Sequence, residues 1–204
     1  MRAASFRCVR GETNDMTLDA DTLTTIQSLL WAAGHQSLRA VEFGSGLSTA
    51  ILLAFAEQNG LGLALDSFDH DAPHAHPAST IRPLGEWDVE TFASLLYGAI
   101  APPGTCGQPT AGGFTAPRQF YQLTAEDFRH APYHVAICDG AHGSGRSLAF
   151  PWLVGRLAPN ALVLIDDYDH YPFERDFLRL FPTAILRFRR WTETARSVIY
   201  EVPG

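Results

Sequence analysis

The chain has 204 residues, 46% of them hydrophobic and 18% charged, with a formal net charge of −7. That length and balance describe one globular domain able to bury a core, and the acidic surplus argues against a nucleic-acid backbone as partner. No apolar run reaches the roughly 20 residues of a membrane helix, and all basic residues are arginine, which excludes a lysine-bearing phosphate loop and any lysine Schiff base.

Met1 to Arg10 lacks the apolar core of a secretory signal, so a cytoplasmic location is expected. Periodicity predicts a helix over residues 17–33, capped by Thr17 or Asp19, with Leu23, Ile26 and Leu30 on one face. An apolar strand over 38–43 follows, then a helix from Leu47 to Glu57. A second strand runs from Gly62 to Phe68 and ends in Asp69-His70-Asp71. The third strand is either Ser79 to Pro83 or Gln119 to Leu123. Between these, Glu86 to Ile100 has helical character, and residues 101–117, rich in Pro and Gly, read as a loop or lid. His134 to Cys138 is a buried strand ending in Asp139-Gly140. A helix is predicted from Ser147 to Leu157, and a strand from Ala161 to Ile165 ending in Asp166-Asp167. A helix from Phe173 to Phe181 precedes two strands, Thr183 to Arg189 and Arg196 to Val202, joined tightly enough for an antiparallel hairpin. This alternation predicts an α/β, doubly wound, Rossmann-like sheet of seven mostly parallel strands, with one antiparallel strand near the C-terminus and helices on both faces. The expected layout is a single domain over 1–204, with an N-terminal helical segment (1–35) and the Rossmann-like core (36–202).

The densest signal is Glu42-Phe43-Gly44-Ser45-Gly46-Leu47-Ser48-Thr49. A strand runs into a Gly-x-Gly turn that opens directly into a helix. Glycines let a ligand lie against the backbone, and the helix start offers unpaired N–H groups. Glu42, at the end of an apolar strand, needs a cation or hydrogen-bond donors to be buried there. The dinucleotide fingerprint wants a third glycine, and Thr49 stands in its place. Acids at four strand ends, Glu42, Asp69, Asp139 and Asp166-Asp167, converge where open α/β sheets bind ligands. Asp69 lies 23 residues beyond Gly46, close to the spacing at which dinucleotide folds place a ribose-binding carboxylate. Asp139, Asp166 and Asp167 sit on neighbouring strands, where three carboxylates would raise one another's pKa. Mg²⁺ would relieve that repulsion. Capping of the next helix by Asp166-Asp167 is the competing explanation.

The Glu-x-Gly-x-Gly-x-Ser-Thr pattern resembles motif I of class I S-adenosylmethionine-dependent methyltransferases. Asp139-Gly140-Ala141-His142 and Ile165-Asp166-Asp167-Tyr168 resemble motifs of the metal-dependent macrocin and mycinamicin sugar O-methyltransferases. The resemblance covers roughly residues 36 to 202. It implies S-adenosylmethionine as cofactor, with Glu42, Gly44, Ser45, Gly46, Ser48, Thr49, Asp69, His70 and Asp139 around it. It implies Mg²⁺ on Asp139, Asp166 and Asp167, with His142 as the base and Asp139 beside it in catalysis. A small-molecule hydroxyl is the expected acceptor, with no nucleic acid and no membrane as partner. The acceptor site would come from the N-terminal helix, the 101–117 loop, or the partner subunit of a homo-oligomer. Trp87, Phe114, Phe120 and Tyr121 are acceptor-pocket or core aromatics. His70, His74 and His76 read as a flexible loop rather than a zinc site. Two rivals remain open: a methyltransferase-like module that binds without chemistry, and a nicotinamide-dependent oxidoreductase.

Overall fold

Asp19 sets the start of the first helix. Its carboxylate accepts the backbone N–H groups of Asp21 and Thr22, so α1 (Ala20–Ala32) begins at Ala20 rather than at residue 17. The structure, a computed structural model, describes residues 7–9, 18–87, 119–141 and 143–204. After α1 come β1 (Ser37–Phe43), α2 (Leu47–Asn59), β2 (Gly62–Asp69), β3 (Thr80–Ile81) and β4 (Leu84–Glu86). The later elements are β5 (Gln119–Tyr121), β6 (Tyr133–Cys138) and a 3₁₀ turn (Ser144–Leu148) leading into α3 (Ala149–Leu153). The chain ends with β7 (Leu157–Asp166), α4 (Phe173–Leu180), β8 (Ile185–Trp191) and β9 (Arg196–Val202).

Seven strands form one sheet in the order β3-β2-β1-β6-β7-β9-β8. The pairs β1–β2, β2–β3, β1–β6 and β6–β7 are parallel, and β9 runs antiparallel to both β7 and β8. This is the predicted mostly parallel sheet with one reversed strand. The third-strand choice also resolves. Thr80–Ile81 pairs with Phe68 and Asp69 in the main sheet, whereas Gln119–Tyr121 pairs with Leu84–Glu86 in a separate two-stranded ribbon.

The helix predicted over Ser147–Leu157 is much shorter than expected. Leu157 already pairs with Tyr133, and the Tyr133 N–H donates to the Arg156 carbonyl at 2.8 Å. Sheet pairing therefore takes backbone that the helical pattern had claimed, and tertiary context overrides local propensity. The helical reading of Glu86–Ile100 and the 101–117 lid lie, beyond residue 87, outside the described residues.

Strand alternation sorts the core into two layers. On one face Leu38, Ala40, Val135, Ile137, Leu162, Leu164 and Ile199 pack with Leu23, Ile26 and Leu30 of α1 and Ile51, Leu52 and Phe55 of α2. On the other, Val41, Phe43, Ala136, Cys138, Val163 and Ile165 pack with Phe150 of α3, Phe177 of α4 and the aromatics Phe120 and Tyr121. Helices thus cover both faces, as a parallel sheet requires. From β1 the chain winds through α2 to β2 on one side; from β6 it winds through α3 to β7 on the other. The boundary between β1 and β6 is the switch point, where the carboxyl ends of the strands leave a crevice.

Candidate active site

Backbone contacts at the switch point are unusually close. The Phe43 carbonyl accepts both the Asp139 N–H (2.9 Å) and the Gly140 N–H (2.6 Å), and the Gly44 N–H donates to the Phe68 carbonyl at 2.9 Å. Gly44 has φ +86°, and a Cβ there would stand 2.6 Å from the Gly140 nitrogen. A Cβ on Gly140 would lie 2.7 Å from the Gly44 Cα and 2.2 Å from the Tyr121 hydroxyl oxygen. The ends of β1 and β6 touch because neither residue has a side chain.

Glu42 is fully buried on the α2 side of the sheet, yet it is not alone. One oxygen accepts the Ser48 hydroxyl; the other accepts Thr49 and, at 2.9 Å, Ser67. The sequence demanded donors for this carboxylate, and three hydroxyls supply them. Burial pushes its pKa up, and the hydroxyls restrain the rise. Thr49 Oγ1 also accepts the Gly46 N–H at 3.2 Å. The residue that breaks the dinucleotide fingerprint is therefore built into the turn, tying Gly46 to Glu42.

Asp69 ends β2 within reach of the turn. Its Oδ2 accepts the Ser45 N–H (2.7 Å) and the Ser45 hydroxyl (2.9 Å); its Oδ1 accepts the N–H groups of His70 (2.6 Å) and Asp71 (2.9 Å). Burial alone would raise its pKa, but these four donors hold it below the usual carboxylate value. The Ser45 hydroxyl in turn accepts the His76 N–H at 3.1 Å, so one serine stitches β1, Asp69 and the following loop together.

Across the switch point, Asp139 and Asp166 meet carboxyl to carboxyl in a hydrogen bond that requires a proton. Burial, with the charges of Asp167 and Glu42, pushes Asp139 up to about 6; burial, with the charges of Asp139 and Asp167, pushes Asp166 up to about 8. Asp167 does not join the pair. It stands at φ +51° and turns toward Arg146 (3.7 Å) and His170 (3.4 Å). Among the described residues no three His, Cys, Asp or Glu side chains come together as a group that could hold a metal ion. His142 lies outside the described residues.

Arg146 is what the sequence reading missed. It is 5% exposed, donates from Nε to the Ala141 carbonyl (3.2 Å) and from Nη1 to the Asp166 carbonyl (2.9 Å), and lowers the pKa of both paired acids. An internal guanidinium and a shared proton thus relieve much of the repulsion that pointed to a cation. The available signal was a lone arginine four residues beyond His142 in a run of small residues, next to acids that need positive charge. Tyr121 and Phe120 are both fully buried against Phe43. The Tyr121 ring stands 6.2 Å from the His70 ring, and Arg82 and Asp127 bridge the approach to the β4–β5 ribbon.

The site is therefore a glycine turn and helix start, a carboxylate at the end of the next strand, and a pair of hydrogen-bonded acids with an arginine on the other side of the switch point. Similar solved structures include the CmcI-N160 apo-structure, at 20% identity and TM-score 0.48 over 91% of this chain and 72% of that one. Another is a putative class I S-adenosylmethionine-dependent methyltransferase (lmo1582) of Listeria monocytogenes, at 10% identity and TM-score 0.47 over 95% of this chain and 63% of that one. A search of curated proteins finds no match. A family model described as a methyltransferase domain matches residues 41–168, from the strand carrying Glu42 through the acids that end β7. That match spans more than half of the chain, which belongs to the methyltransferase-domain family.

Proposed function

We propose that the protein is an S-adenosylmethionine-dependent methyltransferase acting on a hydroxyl of a small molecule. The observation that carries this is the pairing, in a chain of this family, of the Gly44–Gly46 turn with a carboxylate at each flank of the switch point, Asp69 and Asp139. The turn and the start of α2 offer backbone N–H groups to the ligand. Asp69 takes the ribose hydroxyls, which replace the Ser45 hydroxyl among its donors. Glu42, with both oxygens engaged, acts by bracing Ser48, Thr49 and the turn. Bound there, S-adenosylmethionine supplies an electrophilic methyl whose transfer leaves a neutral thioether.

The chain's part is alignment and proton handling. It must hold the acceptor oxygen in line with the methyl carbon and sulfur, and keep water out. As the O–C bond forms and the C–S bond breaks, His142 takes the hydroxyl proton, an ordinary task for an imidazole near neutral pH. Asp139, three residues earlier in the chain, stabilises the positive charge that develops. For Mg²⁺, the all-oxygen pair Asp139 and Asp166 is chemically suitable, and Asp167 would complete the set by leaving Arg146 and His170. A cation held there would acidify the acceptor hydroxyl.

The test is release of S-adenosylhomocysteine against matched panels of hydroxylated, amine and thiol acceptors, with Mg²⁺ or with chelator. Turnover of hydroxyl acceptors, reduced at least about 100-fold by His142→Ala, is the expected result. Turnover confined to amines or thiols would sink the O-methyl assignment. A binding module without chemistry is the second reading, favoured by the fact that all four donors on Asp69 come from the chain itself. Cofactor binding with no turnover of any panel would select it.

A further inference from the structure

Tyr121 stands out because its hydroxyl has no hydrogen-bond partner among the described residues, although the residue is 0% exposed. A buried hydroxyl without a partner is costly, and natural structures rarely leave one without a reason. This one is not stranded in an apolar core. It points at the junction of Gly44 and Gly140, where a Cβ on Gly140 would fall 2.2 Å from the phenolic oxygen. Both signs of charge bear on it: Asp69, Asp139 and Glu42 on one hand, Arg146 on the other. The strand that carries it is fixed from outside the crevice, with β5 paired to β4 and with Gly145 pressed on the Gln119 backbone. The ring is thus held in place, with its polar end set against the Gly44–Gly140 backbone.

We infer that the Tyr121 hydroxyl is a cofactor-positioning group that hydrogen-bonds the aminocarboxylate end of S-adenosylmethionine over the Gly44–Gly140 junction. This rests on the cofactor reading above and adds a residue and a ligand atom to it. The nucleoside end is assigned to Asp69 on β2, and the junction lies one strand farther on, roughly 5 Å away. A zwitterion suits a spot where carboxylates and a guanidinium both act. The hydroxyl can accept from the ammonium or donate to the carboxylate, and either bond removes the cost of its missing partner.

The assignment predicts opposite signs for two measurements on one conservative variant. Tyr121→Phe should leave the melting temperature of the ligand-free protein unchanged or raised, because no bond is lost. The same variant should bind S-adenosylmethionine and S-adenosylhomocysteine about tenfold more weakly, the equivalent of one net hydrogen bond. Its affinity for 5′-methylthioadenosine, which lacks the aminocarboxylate, should match wild type. A fall in ligand-free melting temperature with unchanged affinities would make Tyr121 merely structural and overturn the inference. Equal weakening toward all three ligands would move its contact to the nucleoside and overturn it as well. If the folded wild-type chain bound none of the three, the cofactor reading itself would fail, and this inference with it.

Discussion

At the level of single residues, the site is built from buried and half-buried carboxyl groups whose costs are met in different ways. Glu42 uses three hydroxyls, Asp69 uses chain N–H groups, and Asp139 and Asp166 share a proton beside Arg146. Glu42→Ala would leave Ser48 and Thr49 without their acceptor, leave Ser67 only Ser79, and open a cavity. It should cost about 2–4 kcal/mol in urea denaturation, with Glu42→Gln losing less. For Asp139 and Asp166 the folded pKa lies above the unfolded value, so the folded state binds the proton more tightly. Their contribution is therefore full below about pH 4 and is lost as pH rises through about 6 and about 8. Asp166→Asn removes much of that dependence. Its stability relative to wild type should improve between pH 5 and pH 8.5, and parallel melting curves across that range would contradict the account. Much of this was legible in the sequence. The need for donors at Glu42 followed from an acid in an apolar strand, and two donors, Ser48 and Thr49, lie in the same motif. Ser67 was not legible, because only the β1–β2 register sets it opposite Glu42. Nor was Arg146, whose place depends on the fold of the 3₁₀ turn that carries it.

Among the elements, the sequence was clearest where periodicity was unbroken and weakest where pairing decides. β1, α2, β2, β6 and β9 fall close to their expected positions, since apolar runs bounded by Gly, Asn or Asp leave few alternatives. The third strand was ambiguous because β3 has only two residues, too short for an alternation pattern; its pairing with Phe68 and Asp69 defines it. The helix over 147–157 was over-read because a ladder partner, Tyr133, lies 24 residues upstream of Leu157. The glycine turn yields a contrast that tests the geometry. Gly44→Ala forces a Cβ to 2.6 Å from backbone at φ +86° and should cost about 3 kcal/mol or more. Gly46→Ala meets nothing within 4 Å and bears only the strain of φ +151°. Chemical denaturation of the two variants should separate them clearly; equal costs would mean that the β1–β6 contact is looser than described.

On the scale of the molecule, winding in two directions from β1 and β6 creates one crevice, and the described groups assigned a role gather around it. Asp69 marks one flank, the acid pair and Arg146 the other, and the Gly44–Gly140 junction with Tyr121 the floor. The fold class was legible because strand and helix patterns alternate along the chain, and a doubly wound sheet places its ligand site by topology alone. The chemistry was less legible, since carboxylates at strand ends serve sugars, cations and helix caps alike. The central claim is that this crevice takes S-adenosylmethionine. It is tested most directly by calorimetric titration of the purified, folded protein with S-adenosylmethionine, with NAD⁺ titrated in parallel. The account predicts one-to-one binding of S-adenosylmethionine and no heat with NAD⁺. No binding of S-adenosylmethionine, or binding of NAD⁺ in its place, would contradict it.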